Sequence, residues 1–202
     1  MADKEILIFV EGPSDKVFLE DIPIKNFKVQ NIKGKDNLSK RLLEIEKYDK
    51  TLIIFDADKD YESNKKEILK VVSKTKQTIS EEQIFLFPNN QDNGDLETLL
   101  LEIAKYDEFL KCFEGYLECI KNKEHYKPIK NIRKNMLYAY LEVFGLENLT
   151  KTDGKDKIKE KHKEEYEKLK EVIDFSLNSL IPLKNFLGQF AENKQKTKLK
   201  IF

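Results

Sequence analysis

The sequence predicts an α/β fold: a central parallel sheet of about four strands flanked by helices, with a C-terminal helical extension packed on it. Two patterns predict it. Up to Gly94, short apolar runs alternate with amphipathic stretches, as in parallel strands joined by crossover helices. Beyond Gly94 the strand signal ends and helical periodicity takes over. No Pro/Gly/Ser-rich linker separates the two parts. Residues 1–104 are therefore assigned to the α/β core, 105–193 to a helical extension of the same compact unit, and 194–202 to a basic, frayed tail.

Residues 5–10 (EILIFV) form a nearly continuous apolar run, the pattern of a strand covered on both faces. The run breaks at Glu11-Gly12-Pro13-Ser14-Asp15, a turn that leads into a short helix over 16–20. Residues 27–32 (FKVQNI) alternate, as expected of an edge or half-exposed strand. Asp36 is placed as the cap of a helix reaching residue 47, with Leu38, Leu42, Leu43 and Ile45 as its apolar face. Residues 51–55 (TLIIF) are the second fully buried strand, ending in Asp56-Ala57-Asp58-Lys59-Asp60, where Asp60 reads as a solvated helix-start residue. A lysine-rich helix to residue 76 and a fourth strand over 83–87 (QIFLF) complete the core. Asp95 caps a helix over 96–105, and further helices are expected over 107–122, 129–144, 155–175 and 182–191. Leu177, Leu180, Ile181, Leu183, Phe186, Leu187 and Phe190 read as core rather than as a partner groove.

Composition excludes several chemistries. Lys+Arg and Asp+Glu are both 37, so global electrostatic steering toward nucleic acid is not expected. No apolar run approaches the roughly 20 residues that span a bilayer, and the first residues lack a signal peptide's basic n-region and cleavage site. A cytoplasmic protein with no membrane association is expected. With only His125 and His162 available, histidine metal sites and Ser-His-Asp triads are poorly supplied. Cys112 and Cys119 lie on one helix, too far apart to bond to each other, and are expected to be buried thiols. Hydrolytic chemistry would rest on carboxylates.

The carboxylates stand where open α/β sheets place their ligands, at the carboxyl ends of buried strands. Glu11 follows ILIFV, and Asp56 with Asp58 follows TLIIF. Adjacent parallel strands about 4.8 Å apart would bring all three into one coordination sphere. Asp56 and Asp58 would share a side of an extended segment, because side chains repeat with period two. Hard oxygen ligands of this kind suit Mg²⁺ or Mn²⁺. A Walker B reading lacks its phosphate loop, since Gly34-Lys35 has neither the first glycine nor the hydroxyl. A haloacid-dehalogenase reading of Asp-x-Asp leaves Glu11 unexplained.

The stretch Ile8-Phe9-Val10-Glu11-Gly12-Pro13-Ser14-Asp15-Lys16-Val17-Phe18-Leu19, followed by Ile53-Ile54-Phe55-Asp56-Ala57-Asp58, resembles the Toprim domain. That domain is shared by topoisomerases, bacterial primases and nucleases of the overcoming-lysogenization-defect type. The chain most resembles a small stand-alone branch, which continues in Phe85–Asn90, Gly94–Leu100, Tyr138–Leu141 and Ile181–Leu187. The resemblance implies a Toprim-like sheet and a metal-dependent nuclease acting on DNA or RNA. It implies Glu11 as metal ligand or general acid/base, Asp56 and Asp58 as the metal-binding pair, and Asp15 as a ligand to another metal. Glu97 is either a further ligand of a two-metal site or a residue favouring the dipole of the helix that Asp95 caps. Primases and topoisomerases fit poorly, because no zinc-binding cysteine set and no strand-cleaving tyrosine domain are evident.

Lys184, the lone charge between Leu180 and Leu187, is the candidate for electrostatic stabilisation of a transition state; snorkelling at a helix surface is its bland alternative. Lys121, Lys123, Lys127, Lys130, Arg133 and Lys134, with His125 and Tyr126 among them, could track a phosphate backbone, but a solvated surface ranks ahead. The alternative to an enzyme is a non-catalytic Toprim-like subunit that binds nucleic acid or docks on a separate ATPase subunit. A homodimer is compatible with either.

Overall fold

The computed structural model describes residues 6–22, 26–150 and 163–191. Four strands, β1 (Ile6–Val10), β2 (Phe27–Asn31), β3 (Thr51–Asp56) and β4 (Ile84–Phe87), form one all-parallel sheet in the order β2-β1-β3-β4. This is the expected α/β architecture, and the alternating run forms an edge strand as read. β1 and β3 are the central neighbours, with Leu7 opposite Thr51 and Val10 opposite Ile54. Their side chains alternate between two separate cores, which is why both runs are apolar throughout. Ile8, Val10, Leu52, Ile54, Phe85 and Phe87 face one core; Leu7, Phe9, Ile53, Phe55, Ile84 and Leu86 face the other.

The first core is closed by α1 (Pro13–Asp21), α4 (Leu96–Glu102), α6 (Ile132–Val143) and α8 (Ile181–Phe190), so the C-terminal helices pack directly on the sheet. The second is closed by a 3₁₀ helix (Lys35–Arg41), α2 (Leu42–Ile45) and α3 (Tyr61–Val72). Outside these layers, α5 (Asp107–Lys121) packs against α6 and has no fully buried residue, and α7 (Lys163–Val172) precedes α8. Tyr140 ties the extension together: its hydroxyl donates to the Val172 carbonyl at 2.6 Å and accepts from the Tyr106 amide at 3.3 Å. No helix among the described residues is long and apolar enough to cross a membrane.

Three local readings need correction. The segment expected as one helix from Asp36 is mostly 3₁₀, entered through Gly34 at φ 99°. Its tighter turn shifts the phase, so Leu38 and Ile45 are buried while Leu43 is 75% exposed. Cys112 and Cys119 are exposed, because α5 stands at the periphery with half its circumference open. In the C-terminal apolar set, Leu177 and Ile181 are also exposed, at 39% and 45%. Residue 5 of the first strand, residues 155–162 of the long charged helix, and the basic tail lie outside the described residues.

One glycine fixes how the β3 and β4 loops meet. Asp58 pairs with Gly94 in an isolated antiparallel bridge, its amide donating to the Gly94 carbonyl at 2.7 Å. Gly94 holds φ 152°, and a Cβ there would meet Thr98 Oγ1 at 2.9 Å and Pro88 Cδ at 3.0 Å. Gly94→Ala is expected to destabilise the protein by about 1–3 kcal/mol in urea unfolding. Unchanged stability would show that this bridge is not constrained.

Candidate functional site

The expected convergence of the strand ends is present, and main-chain amides organise it. Glu11 follows β1 directly and Asp56 ends β3. Glu11 Oε1 accepts a hydrogen bond from the Asp56 amide at 3.0 Å, bridging the two strands at their carboxyl ends. Asp56 Oδ1 accepts from the Leu96 amide, also at 3.0 Å, in the first turn of α4. Asp15 Oδ2 accepts from the Gly12 amide at 2.8 Å, which satisfies an N-terminal donor of α1, where Pro13 fills the first helical position. Glu11, Asp15 and Asp56 are thus each held by a main-chain amide.

These carboxylates act on one another. Burial pushes Asp56 well above the usual carboxylate range, and the charges of Asp15, Glu11 and Glu97 push it further. Asp15, 6% exposed, rises from 3.8 to about 7, mainly through burial and then through Glu11 and Glu97, against the opposing Gly12 amide. Glu11 is raised by burial first and by Asp58 next, and the Asp56 amide opposes the rise. Glu97 is raised by burial and by Asp95. Asp95 also caps α4, accepting from the Thr98 amide at 2.8 Å. Asp95 is the cap, as expected, and Glu97 stands in the first turn of α4 on the lining of the same cleft as Asp56 and Asp58.

Asp58 departs from the period-two argument. The strand stops at Asp56, and Asp58 takes φ 52°, so the two side chains do not repeat along an extended segment. Asp58 is half exposed and pairs with Lys35, whose Nζ lies 2.7 Å from Asp58 Oδ2 and 2.8 Å from Asn64 Oδ1. Burial alone would lower the Lys35 pKa; the hydrogen bond and charge of Asp58, with Glu11 behind it, raise it instead. Lys35 comes from the loop after β2, docked by the Gly34 amide on the Glu11 carbonyl at 2.8 Å. Asp60 caps α3 through the Ser63 amide, as expected of a helix-start residue.

A cleft of about 1090 Å³ opens beside Asp56 and Asp58, with Glu11 and Asp15 behind its lining. Asp56, Asp58, Asp95 and Glu97 line it together with Lys59 of the β3 loop, and Lys130, Arg133 and Lys134 line it from the loop before α6 and its first turn. Arg133 Nη1 approaches Asp95 Oδ2 to 3.8 Å. Half of the basic run ranked as solvated surface therefore faces the carboxylates, whereas Lys121 pairs with Glu118 along α5. Lys184 is engaged elsewhere, donating to the Phe175 carbonyl at 2.8 Å. The ammonium that does reach the carboxylates is Lys35, which the sequence offered only as part of a failed phosphate loop.

No group of three or more Asp, Glu, His or Cys among the described residues is gathered as a ready-made metal site. The donor chemistry nonetheless fits a hard cation. Every candidate ligand is a carboxylate, and the charges of Glu11 and Glu97 add to burial in raising the pKa of Asp15 and Asp56, a repulsion that a divalent ion would relieve.

Residues 5–191 match a protein family described as protein of unknown function (DUF3226). The chain belongs to the DUF3226 family. No curated protein and no solved structure matches it. The DUF3226 match runs through both the sheet and the helical extension, and so includes the whole lining of the cleft.

Asp15 makes the stability of this DUF3226 protein depend on pH. Its folded-state pKa lies above its ordinary value, so the folded chain holds a proton that the unfolded chain has lost. That stability is complete below 3.8 and is lost as pH rises through about 7. Asp15→Asn keeps an acceptor for the Gly12 amide and removes the titration. In divalent-free buffer it is expected to raise the Tm at about pH 8 and to leave it unchanged at about pH 4, with a difference on the order of a few kcal/mol. Equal pH dependence in variant and wild type would contradict the assignment.

Proposed function

We propose that the protein is a metal-dependent phosphodiester hydrolase, a nuclease acting on DNA or RNA, with Mg²⁺ or Mn²⁺ held by Glu11, Asp15, Asp56, Asp58 and Glu97. One observation carries this reading: a single cleft is lined by four carboxylates and by the cations Lys59, Lys130, Arg133 and Lys134. A polyanion alone would be repelled by the carboxylates, and a cation alone by Lys130, Arg133 and Lys134. A divalent ion together with a phosphodiester satisfies both sets of charges. The Glu11-Gly12 and Asp56-Ala57-Asp58 motifs, with their resemblance to Toprim nucleases, support the same reading.

The chain's own groups divide the work. When bound, such an ion would supply a water of lowered pKa and offset charge at the phosphate. Arg133 offers a planar fork of donors to a phosphate, and Lys130 and Lys134 add point charges beside it. Lys134 is held charged against its own burial by Tyr138, Glu97 and Asp15. Glu11, raised toward neutrality, can hold or release a proton next to the substrate. A second reading, a non-catalytic Toprim-like subunit that binds nucleic acid or partners an ATPase, is favoured by Lys35, which already balances Asp58 without any metal.

Purified protein is expected to cleave plasmid DNA or single-stranded RNA with Mn²⁺ or Mg²⁺, and Asp56→Ala to lose about 10²-fold or more of that rate. The double variant Arg133→Ala/Lys134→Ala is expected to weaken nucleic-acid binding and flatten its salt dependence by about one to two in slope, with Mn²⁺ affinity retained. Nucleic-acid binding without cleavage under either ion would overturn the hydrolase and select the second reading.

A further inference from the structure

α5 presents an apolar stripe that the described residues leave uncovered. Leu110 packs toward the first core, and Phe109 reaches Phe144 edge-on with ring centroids 5.2 Å apart. On the outer face, Phe109 is 38% and Tyr116 54% exposed, and both cysteines are open. At about 100° per residue, Phe109, Cys112, Tyr116 and Cys119 fall within a quarter-turn of one another. The stripe begins at Glu108 and ends at Lys123, both exposed.

We propose that this face pairs with the same face of a second copy, two α5 helices crossing antiparallel about a twofold axis midway between Gly115 and Tyr116. Three pairs of suitable chemistry share that one axis. Cys112 and Cys119 are equidistant from it and about 20° apart around the helix, so each sulfur faces the other cysteine of the second copy. Tyr116 lies over Gly115 of the second copy, where a Cβ would meet nothing within 4 Å among the described residues. Glu108 meets Lys123 of the second copy at both ends, so the charges are complementary. The reverse, parallel pairing would set Glu108 against Glu108 and Lys123 against Lys123. An isologous contact of this kind closes as a dimer.

The small Cys-Gly-Cys surface permits close approach. Antiparallel helices about 8–10 Å apart, each with Cα atoms about 2.3 Å from its axis, bring facing Cα atoms to about 5 Å, within disulfide range. Within one chain the two cysteines are about 10 Å apart along the helix, beyond that range. The pairing leaves the carboxylate cleft untouched and does not depend on its function.

Cysteine crosslinking of the full-length protein tests the register. Diamide removes two electrons and two protons from a thiol pair, joining the sulfurs and becoming the hydrazine. Wild-type protein is expected to give a covalent dimer on non-reducing gels. Cys112→Ser and Cys119→Ser are each expected to give none alone, and their mixture to give a crosslinked dimer again, because Cys119 of one then meets Cys112 of the other. Crosslinking by either single variant alone, or no dimer from wild type, would overturn the pairing. Sedimentation without oxidant supplies a second readout: wild type is expected to be dimeric, and Gly115→Arg monomeric while keeping the wild-type circular dichroism and a cooperative unfolding transition, since its site is open toward the described residues of the monomer. A monomeric wild type would overturn the proposal independently of the cysteines.

Discussion

Glu11 and Asp56 are held by peptide amides: the carboxylate after one central strand accepts from the last residue of the next, and that residue's carboxylate accepts from the start of α4. This relay joins β1, β3 and α4 at the carboxyl end of the sheet, where both carboxylates are partly withdrawn from water. The β2 loop is drawn onto the same end through the Gly34 amide and the Lys35 ammonium. The β4 loop joins it through the Asp58–Gly94 bridge. The four strand ends thus become one surface instead of four separate turns.

The arrangement carries an energetic cost. Several carboxylates at this end of the sheet push one another toward protonation, and Asp15 reaches about 7. A fold selected only for stability would replace such groups with apolar residues of similar volume. Here the repulsion lies beside a cleft that Lys59, Lys130, Arg133 and Lys134 also line. Strain of this kind, paired with a complementary surface, is characteristic of sites that bind charged ligands.

What could be read from the sequence follows the range of the interactions involved. The buried strands were legible because coverage on both faces leaves no polar position in ILIF or LIIF, and edge strand β2 because its alternation survives. The caps at Asp60 and Asp95 were legible because an aspartate bonds an amide only three residues on. The nearness of Glu11 to Asp56 followed from strand adjacency. The exposure of the cysteines did not, since it depends on α5 packing at the periphery, and helical periodicity alone does not say which face is covered. Nor did the turn at Asp58, whose positive φ is set by a bridge to Gly94, 36 positions downstream. Lys35, Lys130, Arg133 and Lys134 reach the carboxylates across long stretches of sequence, through the packing of the 3₁₀ helix and of α6 beside the strand ends. Lys184 drew attention as a lone charge in an apolar stretch, and the Phe175 carbonyl accounts for it.

The central claim is that the carboxylates at the ends of β1 and β3 form a cation site in the cleft that Lys130, Arg133 and Lys134 also line. Anomalous diffraction at the manganese edge from crystals grown with Mn²⁺ tests it most directly. The account predicts a peak in the cleft in contact with Asp56 and at least one of Glu11, Asp15, Asp58 and Glu97, with Lys35 turned away from Asp58 if that residue is a ligand. Well-ordered crystals with no peak there, or with manganese only at surface carboxylates outside the cleft, would contradict it.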